Sequence, residues 1–293
     1  LCTATGDCAH QVELALEECP EVTTRILVDG EREGWRSFDE EYRMFRSTYT
    51  PMKNESRPEG EELLFMVFTS GTTGYPKIAT HTHTYPLGHF VTARYWHMVD
   101  PNGLHLTISD TGWAKAMWGK LYGQWLCEGA IFAYDFDRFN AADILPMFKR
   151  YNITTFCAPP TMYRFMIKED LGAYDLSSIR HATIAGEALN PEVFHQFKKA
   201  TGLSLMEGFG QSETTMMIGN TLGMTPKVGS MGKPVPLYDV DIVNPDGQSV
   251  GVGETGEIVV RVDKGMPCGL SRGYFDNAQG RPISSVRNGL YHT

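Results

Sequence analysis

The sequence predicts an α/β protein, a mainly parallel sheet layered with helices and followed by a small β-rich, barrel-like subdomain. Three observations predict it. From Leu63 to Phe209 short apolar runs alternate with helical patterns, the arrangement that βαβ units produce. One of those helices, "NPEVFHQFKKATG", is bounded by Asn190 and Pro191 at its start and by Gly202 at its end. Beyond about Val228 the helical patterns stop, and glycine-rich segments with turn residues replace them.

Residues 1–60 read as an incomplete α/β lead-in and linker. "CAHQVELALEECP" has helical spacing at Val12, Leu14 and Leu16, whereas "PMKNESRPEGEE" is a polar, proline-containing connection. Residues 61–227 form the α/β subdomain. "LLFMVF" is expected to be a buried strand ending in a glycine-rich loop. "YPLGHFVTARYWHMV" is a helix and "LHLTIS" a strand. "GWAKAMWGKLYGQWLCEG" is a long amphipathic helix, "AIFAYD" a strand, and "AADILPMFKRY" a helix that Asn140 can cap. "ITTFCA", "PTMYRFMIKED", "IRHATIA", the capped helix and "LSLMEGF" continue the alternation. Residues 228–293 are the β-rich subdomain, with the turn "NPDG" inside "YDVDIVNPDGQSV" and a strand in "GETGEIVVRV".

Composition narrows the function classes. The chain of 293 residues carries a net charge of −9, which argues against a nucleic-acid surface. No run approaches the roughly 20 apolar residues of a membrane span. Cys2, Cys8, Cys19, Cys127, Cys157 and Cys268 form no C-x-x-C pair, so they read as reduced thiols of a cytoplasmic protein. His81 and His83 lack metal-ligand partners at usual spacings. Asp110 and Asp175 read as caps or turn residues rather than bases.

The loop "FTSGTTGYPK" crowds glycines, hydroxyl residues and Lys77 behind an apolar run. Exposed backbone N–H groups in such loops bind anions, above all phosphates. It is not a Walker A loop: Gly71 and Gly74 lie three apart, Lys77 follows a proline, and Ile78 stands where Ser or Thr would be needed.

"TSGTTGYPK" followed by "HTH" resembles the phosphate-loop signature of the adenylate-forming superfamily. "AGEALNPE" resembles its adenine segment and "EGFGQSET" its Tyr-Gly-Gln-Thr-Glu segment, in the family's order; "GETGEIVVR" and "GLYHT" are similar to the next two. "ISDTGW" and "GYFDN" look most like the medium-chain acyl-CoA synthetases. The resemblance implies the N-terminal domain of an AMP-forming acyl-CoA ligase. Its substrates would be a small carboxylic acid, ATP and CoA, with Mg²⁺ as the metal; it leaves a homo-oligomer open. Two alternatives stay open as well, an adenylation domain loading a carrier protein and a non-catalytic nucleotide-binding remnant.

Residue by residue, the resemblance places Thr69, Ser70, Gly71, Thr72, Thr73, Gly74 and Lys77 on the ATP phosphates. Gly186, Glu187 and Ala188 line the adenine edge. In the segment Glu207, Gly208, Phe209, Gly210, Gln211, Ser212, the ring of Phe209 stacks on adenine, where the family usually has Tyr. Ser212 replaces the usual Thr and reaches the α-phosphate or acyl carbonyl. Glu213 is the implied Mg²⁺ ligand. Lys77, Ser212 and Glu213 thus make up the catalytic set. Trp113 and Gly210 border the acyl pocket, where a glycine is expected to leave the space beyond the carboxylate open; Met117 reads as core. The family's following aspartate segment, its hinge and its lysine-bearing C-terminal domain would lie beyond Thr293. A stretch of about one domain's length would precede the chain.

Overall fold

A computed structural model describes residues 1–50, 56–69 and 76–293. The chain falls into two units, Leu1–Arg57 and Pro58–Thr293. In the first, the strands Cys2–Thr5, Arg25–Val28 and Arg36–Ser37 pair in parallel, with the predicted helix at Gly6–Leu16. Glu13 on that helix accepts from Arg32 and from the Trp35 indole.

The second unit is built on a seven-stranded sheet. Its order is Lys233–Pro234, Ile218–Gly219, Leu205–Phe209, His181–Ile184, Thr155–Ala158, Leu104–Thr107 and Ala130–Phe132. The last five strands run parallel; Ile218–Gly219 runs antiparallel to Leu205–Phe209, and Lys233–Pro234 is antiparallel to Ile218–Gly219 in turn. The helices Ala141–Tyr151, Pro160–Met166 and Pro191–Thr201 cover one face, through Ile144, Leu145, Phe148, Tyr163 and Phe197. On these helices the capping residues act as read. The Asn190 side chain accepts from Glu192 N at 2.8 Å, Asn140 accepts from Ala142 N at 3.2 Å, and Gly202 closes its helix at φ +77°. Trp96, Trp118, Met216 and Met217 belong to a second apolar cluster.

The glycine-rich C-terminal region forms an antiparallel four-stranded sheet, ordered Asp239–Val243, Glu257–Arg261, Leu290–His292, Val286–Arg287. The Asn244 side chain accepts from Asp246 N and Gln248 N in the "NPDG" turn, and Gly247 there has φ +78°.

Three elements depart from expectation. The strand Leu63–Thr69 is neither buried nor part of the parallel sheet. It is the edge of a second four-stranded sheet, pairs antiparallel with Lys77–Thr82, and leaves Met66 51% and Phe68 71% exposed. An apolar run cannot report which sheet it will join, and at an edge one neighbour is missing. The long helix around Trp118 breaks at Leu121 (φ −134°, ψ −98°) into Lys115–Lys120 and Tyr122–Leu126. Its glycines are contact points: a Cβ on Gly119 would lie 2.1 Å from Thr107 Oγ1, and one on Gly123 would lie 2.5 Å from the His89 carbonyl. The segment after the helix Tyr85–Val91 widens to a π-turn over Thr92–Trp96, with His97 N donating to Thr92 O at 2.9 Å. Such turns insert one residue and often mark functional regions.

Candidate active site

The carboxyl ends of the parallel strands open into a cavity of about 1190 Å³, the place where open α/β sheets bind ligands. Segments following five strands supply its walls: 108–111, 133–137, Pro159 with Thr161 and Met162, 185–189 and 210–212. This geometry brings together Trp113, Gly186, Glu187, Ala188, Glu207, Gly208, Phe209, Gly210, Gln211 and Ser212. Thr69, Lys77 and Glu213 do not line it. Ser70, Gly71, Thr72, Thr73 and Gly74 lie outside the described residues.

The loop after Leu205–Phe209 is fixed at nearly every residue. Gln211 N donates to Thr214 Oγ1 at 2.9 Å, and its side-chain oxygen accepts from the Tyr291 phenol at 2.7 Å. The Ser212 carbonyl accepts from His81 Nε2 at 2.8 Å, which defines the neutral tautomer of that ring. Burial pushes His81 down to about 4, so it stays neutral near pH 7. Glu213 is 9% exposed; its Oε1 accepts from the Tyr274 phenol at 2.8 Å, and its backbone carbonyl accepts from Ser271 N at 2.7 Å. Thr215 N donates to the Tyr238 phenol at 2.9 Å. Three tyrosines from the C-terminal part of the chain therefore hold one loop.

Glu207 is 7% exposed and accepts from Leu189 N at 3.4 Å; burial raises its pKa above the ordinary carboxylate value. Glu187 instead faces the rim, where it accepts from the Thr161 hydroxyl at 3.1 Å and pairs with Arg164 at 3.7 Å. That orientation leaves the backbone of Gly186 to Ala188, rather than the Glu187 side chain, as the surface available to a flat base. Trp113 is 72% exposed against the cavity. Asp110 and Asp175 accept from the backbone N–H two residues on, at 2.7 and 3.0 Å, so they do make local turns.

Gly210 differs from expectation. The space its missing side chain leaves is taken by Trp118: a Cβ there would lie 2.3 Å from the indole and 2.5 Å from the Thr215 carbonyl. The wall over Gly210 is thus built from the helix Lys115–Lys120 rather than being open. From that helix also comes Lys115, whose ammonium donates to the Ala185 carbonyl at 2.6 Å and lines the cavity. Burial pushes its pKa below the ordinary lysine value, and no ion pair holds it among the described residues. A half-buried cation with no carboxylate at ion-pair distance, facing a cavity, is suited to an anionic ligand. Lys115, Trp118, His81, Tyr274 and Tyr291 carry no local mark of these roles, because each acts on residues distant in sequence.

Among the described residues no group of three or more His, Cys, Asp or Glu side chains gathers to hold a metal. Mg²⁺ does not demand one: it keeps several waters and takes one or two carboxylates plus substrate phosphates. Glu213, with Tyr274 on Oε1 and Oε2 remaining, fits that donor set.

The chain matches the family described as AMP-binding enzyme over residues 2–275. It therefore belongs to the AMP-binding enzyme family. Among curated relatives, it is 36% identical over 295 aligned positions to human acyl-coenzyme A synthetase ACSM3, mitochondrial, covering 100% of this chain and 50% of that protein. It is 39% identical to human acyl-coenzyme A synthetase ACSM5, mitochondrial, covering 97% of this chain and 48% of that protein. An acyl-CoA synthetase structure from Brucella canis superposes with a TM-score of 0.84 at 25% identity, over 99% of this chain and 52% of that one. The anthranilate CoA ligase AuaEII, solved with anthranoyl-AMP, gives 0.83 at 25% identity, over 99% and 55%. The chain thus spans about half the length of the curated relatives it matches. The expectation of a cytoplasmic protein is overturned by those relatives, which are mitochondrial. Six unpaired cysteines fit any reducing compartment equally and do not single out the cytoplasm. No helix among the described residues is long and apolar enough to cross a membrane.

Proposed function

We propose that the full-length protein is an AMP-forming acyl-CoA synthetase that joins a carboxylic acid to ATP, releasing pyrophosphate, and then passes the acyl group to CoA. The observation that carries this reading is the cavity itself. It sets the backbone of Gly186 to Ala188 beside Phe209 and Ser212, and it holds the unpaired ammonium of Lys115 against the same segment.

In this reading Phe209 offers a half-buried ring face to adenine, and the 186–188 backbone offers its edge. The Ser212 hydroxyl and the Lys115 ammonium address the reacting carboxylate and α-phosphate. Lys77 places a charge at the end of the loop that the resemblance assigns to the outer phosphates. When bound, Mg²⁺ would neutralise charge developing on the pyrophosphate. Glu213 would be the residue that holds it. Trp113 presents exposed apolar surface to the cavity, which supports an acyl chain as the tail of the carboxylic acid, while Trp118 bounds that chain on the Gly210 side.

The test is ATP–pyrophosphate exchange by the full-length protein with a series of acids from acetate to decanoate, followed by AMP release on adding CoA. Acid-dependent exchange that yields a CoA thioester is the expected result. Exchange without thioester formation would favour the carrier-loading alternative, and no exchange with any acid would overturn the reading.

A further inference from the structure

We propose that Tyr274 is a positioning residue that couples Lys77 to Glu213 through a single side chain. The proposal rests on the reading above, in which those two residues handle the phosphates and the metal. Tyr274 lies on the strand Gly273–Asp276, which pairs antiparallel with Lys77–Thr82 in the register Gly273↔Thr80 and Tyr274↔Ala79. Its phenol donates to Glu213 Oε1 at 2.8 Å, and its ring lies under the Lys77 ammonium, 4.9 Å from nitrogen to centroid. One aromatic side chain thus touches an implied phosphate-binding cation with its face and an implied metal-binding anion with its hydroxyl.

The backbone around it leaves little freedom. Thr80 Oγ1 donates to the Gly273 carbonyl at 2.9 Å, and Ser271 Oγ donates to the Thr80 carbonyl at 3.0 Å. Ser271 N reaches the Glu213 carbonyl at 2.7 Å. Gly273 sits at φ +124°, and a Cβ there would lie 2.0 Å from the Ile283 carbonyl, so the strand enters at a point only glycine accepts. The donor is therefore presented from a braced strand. With Oε1 engaged, the carboxylate plane is set and Oε2 is turned to a defined direction; with a ring beneath it, the Lys77 side chain loses part of its rotamer freedom before ATP arrives. A tyrosine that only filled space would need neither contact, and phenylalanine would replace it without effect.

The experiment compares Tyr274→Phe, Tyr274→Leu, Glu213→Gln and the Tyr274→Phe/Glu213→Gln double variant in the full-length protein. Calorimetric ATP binding is measured with and without Mg²⁺, alongside the thermal midpoint. Tyr274→Phe should lower the midpoint only slightly and keep the Mg²⁺-free affinity while raising the Mg²⁺ needed for half-maximal ATP binding by about tenfold, the usual effect of losing a hydrogen bond to a charged group. Tyr274→Leu should add a loss of roughly two- to fivefold in Mg²⁺-free affinity, because Lys77 loses its ring. The double variant should match Glu213→Gln alone, since both act through one carboxylate. If Glu213→Gln shifts the Mg²⁺ response and Tyr274→Phe does not, the coupling proposal is wrong while the metal reading stands. If Glu213→Gln leaves the response unchanged, the metal reading fails and the proposal falls with it.

Discussion

At position 210 the Thr215 carbonyl and the Trp118 indole leave no room for a side chain. Gly210→Ala should therefore destabilise the fold by about 1–3 kcal/mol, as overpacking does, and combining it with Trp118→Leu should relieve part of that loss. Urea unfolding of the two single variants and the double shows whether the penalties are less than additive. Any larger residue at this position would meet that occupied space and disrupt it, rather than narrow an open pocket. Lys77 is the other residue whose removal has a clear sign. Its ammonium touches only the Tyr274 ring among the contacts described, so its charge is available to a ligand. Lys77→Ala should lower kcat/KM for ATP by roughly 10- to 150-fold, the range of a charged hydrogen bond, with little change in the thermal midpoint.

The helix Pro191–Thr201 shows how an element can be legible in sequence. Its cap, its proline and its terminal glycine act within a few residues of one another, so their chemistry is local. Asn190→Ala should cost about 1 kcal/mol by removing the bond to Glu192 N, measurable as a shift in the unfolding midpoint. That the two segments "AGEALNPE" and "EGFGQSET" belong together was legible for a different reason, their order and spelling, and both line the cavity. What stayed hidden depends on partners far along the chain. The break at Leu121 follows from where Gly119 and Gly123 meet other segments, and the exposure of Phe68 follows from a sheet edge that no local pattern records. Tyr274 and Tyr291 reach Glu213 and Gln211 across 61 and 80 positions, and neither tyrosine stands out in its own neighbourhood.

Across the molecule, buried histidines set the response to acid. His105 is held between Thr155 and Thr107 hydroxyls at 2.7 and 2.8 Å, and burial pushes it down to about 3. His89 is equally buried and is pushed to about 3 by the same cause. Both are neutral in the fold, while in the unfolded chain they take a proton near 6.5. The unfolded state binds more protons below that value, so the stability these groups contribute is present above about pH 6.5 and is lost as pH falls toward 3. Between pH 7 and pH 5 the loss is about 2 kcal/mol for each, a large share of a typical domain's 5–15 kcal/mol. Urea midpoints measured across that range should fall steeply, and His105→Gln should flatten the slope by one histidine's contribution.

The bond from Thr80 to Gly273 spans 193 positions, and the phenol of Tyr291 arrives only at the far end of this stretch. On a ribosome, then, the loop at Gln211 to Glu213 is synthesised long before the residues that hold it. Until Tyr274 and Tyr291 emerge, that loop has only the Tyr238 phenol at Thr215 to brace it, and closing so long a contour is slow. Nascent chains arrested before Gly273 has left the exit tunnel should fail to retain an immobilised adenylate analogue, whereas chains arrested after Tyr291 has cleared it should bind. The cavity would be among the last parts of this unit to mature, leaving its apolar walls open to chaperones until both tyrosines arrive.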